Sequence, residues 1–198
     1  MAREVWRETV REIANYIINS VENVDKNSLE KFLNGILGAK RIFIYGAGRS
    51  GLAARAFAMR LVHLDLPVFV IGETITPSIR KEDIFICISG SGETSSVIDY
   101  TKSARKVGVK IACVTSYKES TLAKLSDLVL VVKGKTKIDA DKKKYEDRQI
   151  KGVHTSFTPM GTLFEDVVTV FFDGLIAELM FRLGRSEEQM RKVHTTIE

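Results

Sequence analysis

Two stretches of this chain repeat one pattern, and that pattern narrows the possible folds more than any other feature. RIFIYGAGRSG (41–51) and IFICISGSGET (84–94) each run from a short apolar segment into a turn rich in glycine and hydroxyl residues. A continuous apolar run without polar alternation describes a strand buried on both faces, as in a parallel sheet. Glycines after it permit backbone dihedrals that other residues rarely adopt. A helix that starts in such a turn aims unpaired N–H groups, and the positive end of its dipole, above the sheet. Two neighbouring turns of this kind point to an anion site and to a phosphorylated small molecule held between them.

The remainder reads as strands and helices in alternation. A helix over 2–19 carries Val5, Trp6, Val10, Ile13 and Ile17 on one stripe, and Asn27 with Glu30 makes a capping-box start for a helix over 28–37 that Gly38 ends. Strands are expected at 41–45, 68–72, 84–89, 110–115 and 128–132, with helices at 50–64, 94–107 and 120–126 between them. Right-handed crossovers then give an α/β fold, a doubly wound, flavodoxin-like parallel sheet of order 2-1-3-4-5 with helices on both faces. Strands one and three meet at its switch point, where such sheets bind ligands. A polar stretch at 133–158, with Lys142 to Lys144 in a row, reads as a solvated loop or, alternatively, a lid over an anionic substrate. The last long helix starts near Pro159 or Thr162, runs to Leu183 and is closed by Gly184. Being apolar nearly all round, it needs burial on more than one face, and with the N-terminal helix it is expected to form a subunit interface. Ser186 with Gln189 caps a final short helix that ends at His194. No repeat or linker divides the chain, so residues 1–198 are expected to form one domain.

Composition sets the outer limits. The formal net charge of +5 suits an anionic substrate, but the basic residues are dispersed, which argues against a nucleic-acid face. The N-terminal amphipathic helix carries acidic residues and is no signal or transit peptide, and the charges at Glu165, Asp166, Asp173, Glu178 and Arg182 argue against a membrane span at 161–183. Cys87 and Cys113 fall inside strands and read as reduced core residues, so a cytoplasmic protein is expected. No Asp, Glu, His or Cys cluster has metal-ligand spacing, and neither metal nor cofactor is expected.

GAGRSG (46–51) also satisfies the G-x-G-x-x-G dinucleotide pattern, and Glu73 lies where a ribose-binding acid would sit, so a nicotinamide-dependent oxidoreductase is one alternative. Against it, Arg49 and Ser50 are polar where that pattern places small apolar residues. The second turn adds Ser89, Ser91 and Thr94 at one point. Such a hydroxyl-lined nest serves a phosphate monoester.

GAGRSG with AFAMRL (56–61), GETITP (72–77), ISGSGET (88–94) and PMGTLFED (159–166) resembles the sugar isomerase domain family of phosphosugar-binding proteins, and within it the 6-phospho-3-hexuloisomerase branch. The likeness covers nearly the whole chain. It implies an isomerase that interconverts a 3-hexulose 6-phosphate and fructose 6-phosphate through an enediol. That reaction lies downstream of formaldehyde fixation or, in reverse, leads towards pentose phosphate. It further implies metal-free chemistry and a homotetramer built from dimers. The lysine-rich insertion at 133–151 departs from the pattern. A non-catalytic sugar-phosphate sensor of the same fold is the other alternative.

Moving a carbonyl by one carbon requires a base for the carbon-bound proton. Glu165, Glu73 and Glu93 are candidates, with Glu165 preferred because it opens an otherwise apolar helix where burial raises its pKa. Thr162-x-x-Glu165 is equally a capping box. Gly48, Arg49, Ser50, Ser89, Gly90, Ser91, Gly92, Glu93 and Thr94 are expected to bind the phosphate, with Arg49 alternatively paired to an acid. His154 reads as solvated and His63 as packed, while the resemblance makes His194 a candidate for ring opening or proton relay at a neighbouring subunit's site.

Overall fold

The computed structural model of the protein describes residues 4–134, 158 and 162–194. Two helices, α1 (Val5–Glu22) and α2 (Lys26–Leu37), precede the sheet. Then come β1 (Ile42–Gly46), α3 (Gly48–His63), β2 (Val68–Val70), β3 (Ile84–Ile88), α4 (Ser95–Val107), β4 (Lys110–Thr115), α5 (Thr121–Lys124) and β5 (Leu128–Val131). Helices α6 (Thr162–Leu183) and α7 (Glu187–Val193) follow. The five strands form one parallel sheet of order β2-β1-β3-β4-β5, as the alternation predicts.

Strand alternation divides the apolar residues between the two faces. Ile42, Ile44, Ile84, Ile86, Ile88, Ala112, Val114 and Leu130 join Phe57, Leu61, Val167, Phe171 and Phe172 in one buried cluster beneath α3 and α6. Phe43, Phe85, Cys87, Ile111 and Cys113 turn to the other face, against Val97 and Ala104 of α4 and Leu122 and Ala123 of α5. On the first face, the Phe57 and Phe172 rings stack at 4.2 Å and fasten α3 to α6. Each such buried ring contributes about 2–3 kcal/mol in transfer free energy. Cys87 and Cys113 are buried free thiols, and burial pushes the Cys113 thiol up to about 11.

Several boundaries differ from the sequence expectation. Helix α2 is capped by Asp25, whose Oδ1 accepts from the Ser28 N–H at 2.8 Å, and not by Asn27. Asp25 has the extended backbone a cap requires, whereas Asn27 already lies within the first helical turn. Strand β2 ends at Val70, because Gly72 turns the chain with φ of 100°. Helix α3 begins at Gly48, inside the glycine turn and two residues before the expected start. The predicted close of α6 at Gly184 (φ 61°) and the Ser186–Gln189 capping box are both present. Most of the 133–158 stretch, including Lys142 to Lys144 and His154, lies outside the described residues. Among the described residues, no helix is long and apolar enough to cross a membrane.

Candidate active site

Gly46 at the end of β1 is in register with Ile88 at the end of β3, so the two glycine turns stand side by side above the sheet. The first turn enters α3 through Gly48, whose φ of 58° is a left-handed conformation that favours glycine. The second passes through Gly92 at φ 65° into α4. Helices α2, α5 and α7 have side-chain caps, but α3, starting after Ala47, and α4, starting after Thr94, have none. Both helices at the switch point therefore present bare N–H groups and positive dipole ends to the same space.

The hydroxyls of the second turn have divided roles. Ser89 Oγ and Thr94 Oγ1 lie 2.9 Å apart and share one hydrogen bond, and Ser89 Oγ also accepts from the Gly92 N–H at 3.1 Å. One of the two hydroxyl hydrogens stays free for an anion, because a single O–H serves the bond between them. Ser91 Oγ accepts from the Glu93 N–H at 3.1 Å, which leaves its own hydrogen to donate. The turn is also anchored from below: Ser116 N–H donates to Gly90 O at 3.0 Å and Thr115 Oγ1 to the same oxygen at 3.3 Å.

Glu165 meets this space from α6. Its Oε1 accepts from Ser50 Oγ at 3.3 Å, and the Arg49 Nε lies 3.8 Å from Oε2. The second distance is too long for a hydrogen bond, so Oε2 is buried without one although the cation attracts it. Burial raises the Glu165 pKa above the ordinary carboxylate value, and Asp166 adds to this. The carboxylate's bond to its own backbone N–H, the Arg49 charge and the Ser50 hydroxyl oppose the rise without cancelling it. Thr162 is itself the first helical residue, so the carboxylate turns towards α3 and not back to a Thr162 cap. Arg49 also pairs with Asp166 at 3.3 Å, the ion-pair alternative for that residue. Phe164, one residue before Glu165, packs on the second turn: a Cβ on Gly90 would stand 2.7 Å from its ring.

Other expected residues lie elsewhere. Glu73 bonds to Arg55 of α3 at 2.6 and 3.2 Å. The Glu93 carboxylate turns away from the shared space and accepts from the Thr121 N–H at 2.7 Å. His194 packs against buried His63, ring centroids 4.9 Å apart, in a cleft lined by Arg60, Asp173, Ile176 and Met190. Burial lowers the His63 pKa, with the His194 and Arg60 charges adding to the effect. This pair sits at the opposite end of α3 from Gly48, about 22 Å along a 16-residue helix. His194 is thus remote from the turns of its own chain. Reading the sequence did not single out Phe164, Ser120 or Thr121, all of which bear on the second turn. Ser120 before TLAK does carry a cap signal, and its Oγ accepts from the Ala123 N–H.

Comparison with known proteins agrees with this architecture. The SIS domain family matches residues 35–145. A Methylomonas aminofaciens protein named 3-hexulose-6-phosphate isomerase is 40% identical over 189 residues, covering 96% of each chain. A Bacillus subtilis protein of the same name is 35% identical, covering 96% of this chain and 98% of its own. A crystal structure of a Methanococcus jannaschii protein, for which the function of 3-hexulose-6-phosphate isomerase was inferred, superimposes with a TM-score of 0.81 at 34% identity, covering 96% of this chain and 99% of that one. The paired glycine turns, the strand order and these relatives together establish that the chain belongs to the SIS domain family.

Proposed function

We propose that this protein is a phosphosugar isomerase that interconverts 3-hexulose 6-phosphate and fructose 6-phosphate. The observation that carries the reading is Glu165, a carboxylate with one buried, unbonded oxygen beside two uncapped helix N-termini. The relatives named 3-hexulose-6-phosphate isomerase support the choice of sugar.

The phosphate sits over the second turn, receiving the free hydroxyl hydrogens of Ser91 and of the Ser89–Thr94 pair together with N–H groups at the start of α4. Gly90 and Gly92 shape that turn, and Gly48 and Arg49 border it from the first. Glu165 takes the proton from C2 of the 3-hexulose. The C–H electrons form the C2–C3 double bond of an enediol while the carbonyl oxygen on C3 takes up a proton. Return of the carbon-bound proton to C3, with loss of the hydroxyl proton on O2, yields fructose 6-phosphate. Ser50 holds the carboxylate in place by donating to Oε1. The raised pKa makes Glu165 a stronger base than an ordinary glutamate. We place His194 in ring opening or proton relay at the site of a second copy, since α3 separates it from its own.

The test is incubation of the protein with fructose 6-phosphate in deuterium oxide, followed by NMR. Deuterium is expected on a sugar carbon adjacent to the carbonyl. Absence of both carbon-bound exchange and conversion overturns the reading.

A further inference from the structure

The acid in the second turn has a partner that neither catalysis nor phosphate binding requires. Glu93 Oε1 accepts from the N–H of Thr121, the first residue of α5, at 2.7 Å. That bond holds the Glu93 carboxyl below its ordinary value, so it is ionised at neutral pH and is a weaker base than a free glutamate. The connection does not stand alone. Leu122 N–H donates to Gly92 O at 3.0 Å, and the Ser120 side chain fills the space a Cβ on Gly92 would need. Within the turn, the Glu93 N–H donates to Ser91 Oγ. One residue thus joins Ser91 through its backbone and α5 through its side chain. The turn is anchored at Gly90, but beyond that residue it depends on few contacts besides these: it contains two glycines, and Gly92 sits at φ 65°. Left to itself, such a segment loses conformational entropy on ordering, and that loss would come out of ligand affinity.

We propose that Glu93 is a positioning residue: by tying the second turn to the start of α5, it holds the Ser91 hydroxyl and the first N–H groups of α4 in the arrangement that takes the phosphate, touching neither the phosphate nor the reacting carbons. This rests on the isomerase reading only for its kinetic readout. Its binding readout needs no turnover.

Three variants test it from both ends of the bond. Glu93→Ala removes the acceptor. Glu93→Gln keeps an acceptor oxygen while losing the charge. Thr121→Pro removes the donor N–H at a first helical position that tolerates proline. Glu93→Ala and Thr121→Pro are each expected to raise KM, and the Kd for fructose 6-phosphate by calorimetry, by roughly five- to twenty-fold with kcat within about three-fold. Glu93→Gln is expected to recover most of the affinity, and the double variant to lose little more than either single one, since both break the same bond. A fall in kcat of a hundred-fold or more in Glu93→Gln at unchanged KM would make Glu93 a base and overturn the proposal. So would a lowered melting temperature with KM and Kd unchanged, or a Thr121→Pro variant that binds like the wild type. A wild type that binds fructose 6-phosphate without isomerising it overturns the isomerase reading alone, and the variants' Kd values still decide the role of Glu93. A wild type that does not bind it overturns both.

Discussion

The proposed reaction concentrates its chemistry in one side chain, Glu165, which is 17% exposed. Replacing it with glutamine keeps its size and its capacity to accept from Ser50, so the fold should change little. A carboxamide cannot take up the carbon-bound proton, and kcat is expected to fall by about 10²–10⁴-fold with KM nearly unchanged. Retention of activity within a few-fold would remove Glu165 as the base. The pH dependence follows from the direction of its pKa. A base must be ionised, so kcat/KM should fall as pH drops through the Glu165 value, with this limb above the range of an ordinary glutamate. Stability runs the other way. The folded-state pKa lies above the unfolded one, so the native state holds the proton more tightly and stability declines as pH rises through the window between the two values. Denaturant titrations across this range should show that decline in the wild type and lose it in Glu165→Gln.

Between elements, the placement of the proposed base relative to the second glycine turn depends on close contact of α6 with β3's exit. The Phe164 ring lies against Gly90 on one side, and its Cα would be 2.5 Å from a Cβ on Gly134 on the other. There is no room for a side chain at Gly90. Gly90→Ala must push the turn or the first turn of α6 aside, and such overpacking costs typically 1–3 kcal/mol. Because Glu165 follows Phe164 directly, kcat is expected to drop at least ten-fold, along with the melting temperature, since a displacement of about 1 Å at a reacting group can cost a hundred-fold. Gly174 is the control on the same helix. It is exposed and a Cβ there meets nothing within 4 Å, so Gly174→Ala should raise the melting temperature and leave kinetics unchanged. Equal kinetic effects of the two substitutions would refute the contact's role.

At the scale of the whole molecule, much apolar surface stays uncovered. Trp6 is 63% exposed and Phe181 84%, and Val10 and Val170 are exposed with them. Along the apolar stripe of α1, Ile17 packs against the core while Val5, Trp6 and Val10 face outward, on the helix expected to join α6 in a subunit interface. An interface between copies would cover these side chains. The protein is expected to be a homo-oligomer at micromolar concentration, and light scattering that shows a monomer would also remove the route proposed for His194 to a second site. Trp6→Glu with Phe181→Glu should shift the assembly towards smaller species.

Local pattern alone determined the strands, the crossovers and the two glycine turns that open α3 and α4. A doubly buried strand needs an unbroken apolar run, a turn into a helix needs glycine, and chain chirality then leaves few ways to order five such units. GAGRSG and SGSGET could be recognised for that reason, as could the Ser186 cap and the Gly184 stop. The partners of the side chains were settled only by tertiary packing. Ser50 and Glu165 are 115 residues apart, and Glu93 and Thr121 are 28 apart. Nothing near Glu165 in sequence tells that its carboxylate reaches Ser50 of α3. Likewise Asp25 and Asn27 are both able caps, and the extended backbone at Asp25 decides between them. A side chain's direction depends on which remote element lies beneath it, and that is decided when the helices dock on the sheet, not when they form.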